Sequence, residues 1–262
     1  MSLTLDIGAT GMLAQQLNVD VISNNIANMT TTGFKKQRAQ FQDLLYQTKI
    51  RPGASSSDQG TTIPSGIQQG MGVKTGSVYR INEQGAIQQT DNKLDIAIKQ
   101  RGFFQITLPT GETAYTRDGS FQVDQNGIMV TSKGYQLQPG ITIPDDAVDV
   151  TIDGTGQVMV KIQGQTALQN VGQIQTVLFT NEPGMEAIGD NLFLETEASG
   201  SPTAGNPGDE GFGELLQGAL EVSNVNIVQE ITLLIQAQRA YEMNSKVVQA
   251  GDEMLSTIVQ LR

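Results

Sequence analysis

Leu5, Met12, Val19 and Ile26 fall seven residues apart near the N-terminus, and Ala9, Leu13, Ile22 and Met29 widen the stripe they make. Near the C-terminus Leu220, Ile227, Leu234, Tyr241, Val248 and Leu255 repeat the same interval, flanked by Ile231, Ala237, Ile258 and Val259. Sustained seven-residue spacing is what helices use when they pair along their length. The seam is imperfect, because Gln16, Ser23, Asn244 and Gly251 stand where a strong dimeric coiled coil would place Leu or Ile. The pattern predicts a helix at each end, packing on each other or on neighbours. Ordinary amphipathic helices facing a core would show a similar stripe, and that reading stays open.

The first stripe runs into "SNNIANMTTTGFKKQ", where Asn24, Asn25 and Asn28 are poor helix residues and the Thr30–Gly33 run breaks the pattern. Short polar side chains compete for backbone hydrogen bonds, so such a neck suits a helix end and a turn. Ser223-Asn224-Val225-Asn226 places a similar cluster beside the second stripe, where Ser or Asn could serve as a cap. Lys35, Lys36 and Arg38 read as a solvated charged face, or as contacts to a neighbour's carboxylates worth about 0–1 kcal/mol each.

Between the ends the period changes from seven to two. "AVDVTIDGTGQVMVKI" alternates Val148, Val150 and Ile152, turns at Asp153-Gly154, and alternates again through Val158, Val160 and Ile162. In "SFQVDQNGIMVT" the Asn126-Gly127 pair, which takes positive φ readily, separates Phe121/Val123 from Ile128/Val130. "KLDIAI", "GFFQITL" and "QIQTVLFT" are further strands. Many short strands with Gly punctuation predict an antiparallel body of barrel or sandwich type. Two stretches rich in Gly, Pro and Ser, Arg51–Gly66 and Ser199–Gly213, read as loops or linkers around that body. The expected organisation is α+β. It comprises an N-terminal helix in 1–33, a connecting extended segment in 34–80, a β domain in 81–198, a linker in 199–216 and a C-terminal helix in 217–262.

Composition removes much chemistry. The chain has 262 residues with no Cys and no His, so Ser-His-Asp and Cys-His nucleophile systems and the usual zinc sites cannot be built. A formal charge of −11 argues against nucleic acid or anionic membrane as a partner. No apolar run is long enough to span a membrane, and the N-terminus does not read as a cleavable signal peptide. Asp91, Asp95 and Asp118 are carboxylates that could pair for glycoside hydrolysis, but scattered Asp near Gly is ordinary turn chemistry. "DQNG" lacks the ligand spacing of a calcium loop, and "GDEGFG" lacks a phosphate-binding context. The expectation is no catalytic residue, no cofactor and no metal.

A two-helix arm is a weak folding unit, since its small core must offset the entropy of ordering it. Unless the arm docks on the β body, its stripe is expected to be completed by other copies or to stay partly disordered, which would couple order at the termini to assembly, while the acidic balance discourages premature association.

Several blocks resemble one family. "GATGMLAQQLNVDVISNNIANMTTTGFKKQRAQFQDLLYQ" is similar to the N-terminal signature of bacterial flagellar rod and hook proteins. Its most distinctive pieces are "SNNIAN" (Ser23, Asn24, Asn25, Asn28) and "TTGFK" (Gly33, Phe34, Lys35). "GFFQI", "YTRDGSFQVDQNGIMVTSKGYQLQP" and "LEVSNVNIVQEITLLIQAQRAYEMNSKVVQAGDEML" resemble later blocks in the same order. The length, and the segment carrying Tyr46, Arg51, Pro52, Gly53, Pro64, Gly70 and Tyr79, are similar to the distal-rod branch of that family.

The resemblance implies an axial subunit exported by the flagellar type III apparatus without a cleavable signal. It would stack into a rigid hollow rod from periplasm to outer membrane and carry torque to the hook. The implied partners are further copies of the chain, proximal rod proteins, the hook protein, the P- and L-ring proteins and a rod cap protein. A proximal rod or hook protein of the same family is the nearest alternative, and a secreted coiled-coil adhesin with a β head is another.

Overall fold

The computed structural model describes residues 3–52, 65–164 and 167–260. Helix α1 spans Leu3–Ala27 and helix α2 spans Ile227–Gln260, with Asp6 and Glu230 in their first turns, where a carboxylate meets the positive end of the helix dipole. The described residues divide into two units. One takes the chain up to Ile26, Gln37–Tyr79 and everything from Ile227; the other takes Ala27–Lys36 and Arg80–Asn226.

In the first unit α1 and α2 run antiparallel in close contact. A β-carbon on Gly8 would stand 2.6 Å from Val248 Cγ2, one on Gly11 2.8 Å from Asn244 Nδ2, and one on Gly251 3.2 Å from Leu5 Cδ2. Absent side chains thus set how near the two backbones come. Buried along α2 are Glu230, Ala237 and Gly251, with half-buried Asn244 completing a row of small and polar residues seven apart. The extended segment forms two antiparallel ribbons. Gln37–Asp43 pairs with Val73–Arg80, and Tyr46–Ile50 with Ile67–Gly70. The Thr10 hydroxyl donates to Ile7 O and accepts from Val73 N–H beside Gly72, fastening that segment to α1.

The second unit is built on an antiparallel sheet branching at the strand Phe103–Thr107, which pairs with Thr113–Thr116, Gln136–Gln138 and Thr176–Leu178. Strand alternation sends neighbouring residues of "GFFQIT" to opposite faces. Phe104 and Ile106 enter the larger core with Phe121, Met129, Leu137 and Val158. Phe103 enters a smaller aromatic one with Tyr115, Val177, Phe179 and Phe193. Phe104 and Phe121 meet edge to face at 5.1 Å, as do Tyr115 and Phe179 at 4.8 Å. The expected hairpins form, with Val150 opposite Val160 and Met129 opposite Val123. The barrel does not, because the described sheets are open.

Leu220 is not part of α2. It sits in the strand Ala219–Glu221, paired with Ile87–Gln89, and the helix starts at Ile227. Gly218 takes φ +70° just before it, and ladder pairing together with burial of Leu215, Ala219 and Glu221 overrides a single seven-residue coincidence. Ser199–Gly213, read as a flexible linker, contributes the strand Thr203–Gly205, paired with Thr176–Leu178, and a fully buried Ser199.

Truncating the central ring tests this core. Phe104→Ala is expected to lower the unfolding free energy by about 3–5 kcal/mol, read from the denaturant midpoint of the β-sheet signal; a change below about 1 kcal/mol would contradict a filled core there.

Candidate functional site

Two places concentrate the sequence-marked residues, one in each unit. In the β unit, Lys35, Arg117 and Glu221 form a buried ion cluster, each 5% exposed or less. Lys35 Nζ donates to Glu221 Oε1 at 2.6 Å and to Glu83 O at 2.9 Å. Arg117 Nε donates to Glu221 Oε2 at 2.5 Å, and the Gly85 N–H completes the carboxylate at 2.8 Å. The remaining guanidinium N–H groups donate to the carbonyls of Gly102, Ile98 and Gln100, closing the turn before Phe103–Thr107.

Backbone geometry presents these groups. Gly33 has φ +69° and its N–H donates to Glu221 O at 2.8 Å. A β-carbon there would lie 2.9 Å from the Arg117 carbonyl carbon, so glycine is required twice over. Asn224 donates to Ile81 O and Glu83 O and accepts from Lys36 N–H. Its side chain therefore ties the segment at Lys36 to the one at 81–83 rather than capping α2. Lys35 likewise departs from the solvated face expected of it: it is buried, Lys36 is half-buried and Arg38 exposed.

Burial alone would push the Glu221 carboxyl up, but the charges of Arg117 and Lys35 outweigh it and hold the group below its ordinary value of 4.5. A depressed folded value means that the stability Glu221 contributes is complete above about pH 4.5 and is lost as pH falls through the lower folded value.

In the helical unit the signature residues separate. Ser23 and Asn24 are exposed, Asn28 half-buried, and Asn25 buried at 2% exposure. Of the seven-spaced stripe, Leu5, Met12, Val19, Ile26, Leu234, Val248 and Leu255 are half-buried, whereas Ile227 and Tyr241 are 42% and 43% exposed. Val228 and Met243 beside them are 75% and 68% exposed. Of the extended segment, Tyr46, Arg51 and Pro52 are exposed and Gly70 and Tyr79 half-buried; Gly53 and Pro64 lie outside the described residues.

Sequence reasoning missed Arg117, Glu221 and Glu230, and gave Asn224 a capping role in place of the bonds it makes. The one signal available was a lone charge inside an apolar run, as in "GALEVSN". Asp95, considered for hydrolysis, accepts from Thr90 and Asn92, and Asp118 accepts from Ser120 N–H, both as turn chemistry.

Three family models match along the chain: "Flagella basal body rod protein" over residues 5–35, "Flagellar hook protein FlgE/F/G D1 domain" over 97–160, and "Flagellar basal body rod FlgEFG protein C-terminal" over 216–261. The "Flagellar basal-body rod protein FlgG" of Caulobacter vibrioides is 60% identical, with 98% of each chain covered. The chain belongs to the flagellar basal-body rod protein family. Relatives of the same name from Borreliella burgdorferi, 49% identical with 97% of this chain and 96% of theirs covered, and from Bacillus subtilis, 42% identical with 97% of each covered, extend the likeness. The rod family is structural, and its members are basal-body components, so the chain is a structural protein and not an enzyme. The ion cluster is accordingly an anchor: it clasps the chain that follows α1 and the chain that precedes α2 at one point of the β unit.

Removing the carboxylate charge tests the anchor. Glu221→Gln is expected to lower stability by about 3–5 kcal/mol and to flatten the loss of stability below pH 4.5. Unfolding titrations at stepped pH read both, and an unchanged acid profile would place the titration elsewhere.

Proposed function

We propose that this rod subunit builds the distal rod, polymerising helically through its paired terminal helices into a rigid hollow shaft that passes torque from motor to hook. One observation carries the reading. The α1–α2 contact buries a small and polar row, and leaves the flanking apolar rows half covered or exposed. Apolar side chains in such number on one helix pair mark an interaction surface. Further copies of the chain complete it, as family membership supports. Proximal rod proteins, the hook protein, the ring proteins and the rod cap then follow as neighbours at the ends and sides of the shaft, and the type III apparatus as the exporter.

The ribbon Tyr46–Ile50/Ile67–Gly70 belongs to the same reading. A two-stranded ribbon is marginal alone, and this one exposes Tyr46 and Ile67 by more than half. Seated on a neighbouring subunit it adds a contact that resists shear, which suits straight rod rather than flexible hook.

Amide exchange with electron microscopy tests the assembly. In dilute protein, exchange is expected to be faster in 3–26 and 227–260 than in the β unit, as for a helix pair that forms but is marginal alone, and to slow as filaments appear on concentration. The double variant Val228→Ser/Met243→Ser should keep the monomer's unfolding midpoint within about 0.5 kcal/mol while filaments are lost. Protected termini in a dilute monomer, with no polymer at any concentration, would sink the proposal. Deleting Arg51–Gly66 is expected to leave export intact and to give rods of reduced stiffness by thermal-bending analysis; equal stiffness would remove the ribbon's assigned role.

A further inference from the structure

Heptad rows make the α1–α2 contact degenerate. Leu5, Met12, Val19 and Ile26 on α1, and Ile227, Leu234, Tyr241, Val248 and Leu255 on α2, recur at one interval. A slide of one helix by seven residues would therefore return apolar residues to apolar neighbours. The glycine contacts resist it in places, since a slid Leu5 would leave Gly251 for Asn244 or Ile258, but they carry no buried polar group that must be matched. Shape contributes to the choice of register, and a polar match adds to it.

A buried polar group breaks the degeneracy. Asn25 lies on the contact row of α1, and both its amide groups are engaged. Oδ1 accepts from Gln37 N–H at 2.8 Å, while Nδ2 donates to Gln37 O at 2.9 Å and to Glu230 Oε2 at 3.1 Å. The exchange with Gln37 copies a strand partner and fixes the amide in space, so only one N–H remains, and it points at Glu230. That carboxylate is itself buried, 6% exposed in the first turn of α2. The contacts Leu5 with Gly251, Gly8 with Val248, Gly11 with Asn244 and Asn25 with Glu230 descend α2 in step as they ascend α1. All four belong to one register. Sliding α2 either way replaces Glu230 opposite Asn25 with Ala237 or with Ser223, which precedes the helix. With Ala237 there the Asn25 N–H is unmet and Glu230 passes the end of α1; with Ser223 there Glu230 would turn to Asn18, and Asn25 would exchange its carboxylate for a neutral hydroxyl outside the helix. An unmet buried polar group is expensive, so one hydrogen bond can outrank a row of interchangeable apolar contacts.

We infer that Asn25 and Glu230 are the register-setting pair of the terminal helices: their buried hydrogen bond, with Asn25 clamped on the Gln37 backbone, selects one antiparallel alignment among those the seven-residue rows allow. Asn25 is in this sense a positioning residue. It decides which apolar residues of α2 stand beside which of α1, and so what surface the pair presents. The assignment concerns the single chain and holds whether or not the distal-rod reading does.

Disulfide trapping in the full chain reads the register, because the chain has no cysteine of its own. Gly8→Cys with Val248→Cys reports the observed alignment, the second change removing the methyl that crowds Gly8. Gly8→Cys with Tyr241→Cys or with Leu255→Cys reports a slide of one heptad either way. Dilute monomer is oxidised with glutathione disulfide and intrachain bonds are scored by mass spectrometry. With Asn25 and Glu230 intact, the first pair should form at least tenfold faster than the other two. In the Asn25→Leu/Glu230→Leu background the helical signal should persist and the three rates converge within about threefold, as removing a register-specifying polar pair predicts. Retained tenfold selectivity in that background would overturn the assignment. Should the double variant lose its helical signal, Asn25→Ala decides on the same scale: convergence supports the pair, and preserved selectivity rejects it.

Discussion

A buried carboxylate without cations is among the least tolerable groups a fold can contain, and Glu221 makes that constraint the organising one here. Its charge is acceptable only where Lys35 and Arg117 reach it, and those residues lie far apart in the chain. The turn at Gly33, the end of the strand Thr113–Thr116 and the strand Ala219–Glu221 must therefore meet. They meet with no room for a side chain at Gly33 or at Gly85, where a β-carbon would stand 1.9 Å from Val222 O. An apolar cluster of equal volume can match a buried ion triad in stability. What the triad adds is intolerance of any other meeting, and this fixes where the chain leaves the β unit toward each helix.

The helix pair obeys a different constraint. Glycine and alanine along the contact row let two backbones approach closely, and a close contact between thin faces covers little area. Wide apolar stripes on both helices are thereby left half covered. In a solitary globular protein this would be an aggregation liability. In a rod subunit it is the surface proposed above for assembly.

Charge separates the two kinds of contact further. The chain carries eleven more acidic than basic groups, and two of its cations are buried in the ion cluster. Other cations face carboxylates at the surface, as in Lys93–Asp149 and Lys133–Asp190, in pairs worth about 0–1 kcal/mol each. The exterior is thus predominantly negative, and dilute copies repel at long range. On the proposed reading, association depends on apolar rows at short range, where screening by salt reduces the repulsion.

Periodicity alone determined much of this protein. The seven-residue stripes located α1 and most of α2, alternation located the two central hairpins, and block order pointed to the rod and hook family. These features are legible because helix pitch and strand pleat impose their periods locally. Tertiary structure decided the rest. Leu220 matched the heptad yet lies in a strand, because pairing with Ile87–Gln89 and the burial of Glu221 are long-range gains that local spacing does not register. Lys35 looked like surface charge until the fold delivered Glu221 to it. Asn25 looked like a helix breaker, and its value emerges only where Gln37 and Glu230 close around it. A charge or an amide has no fixed worth in a sequence, since what it contributes depends on the partner that the folded chain places beside it and on the water that the fold excludes.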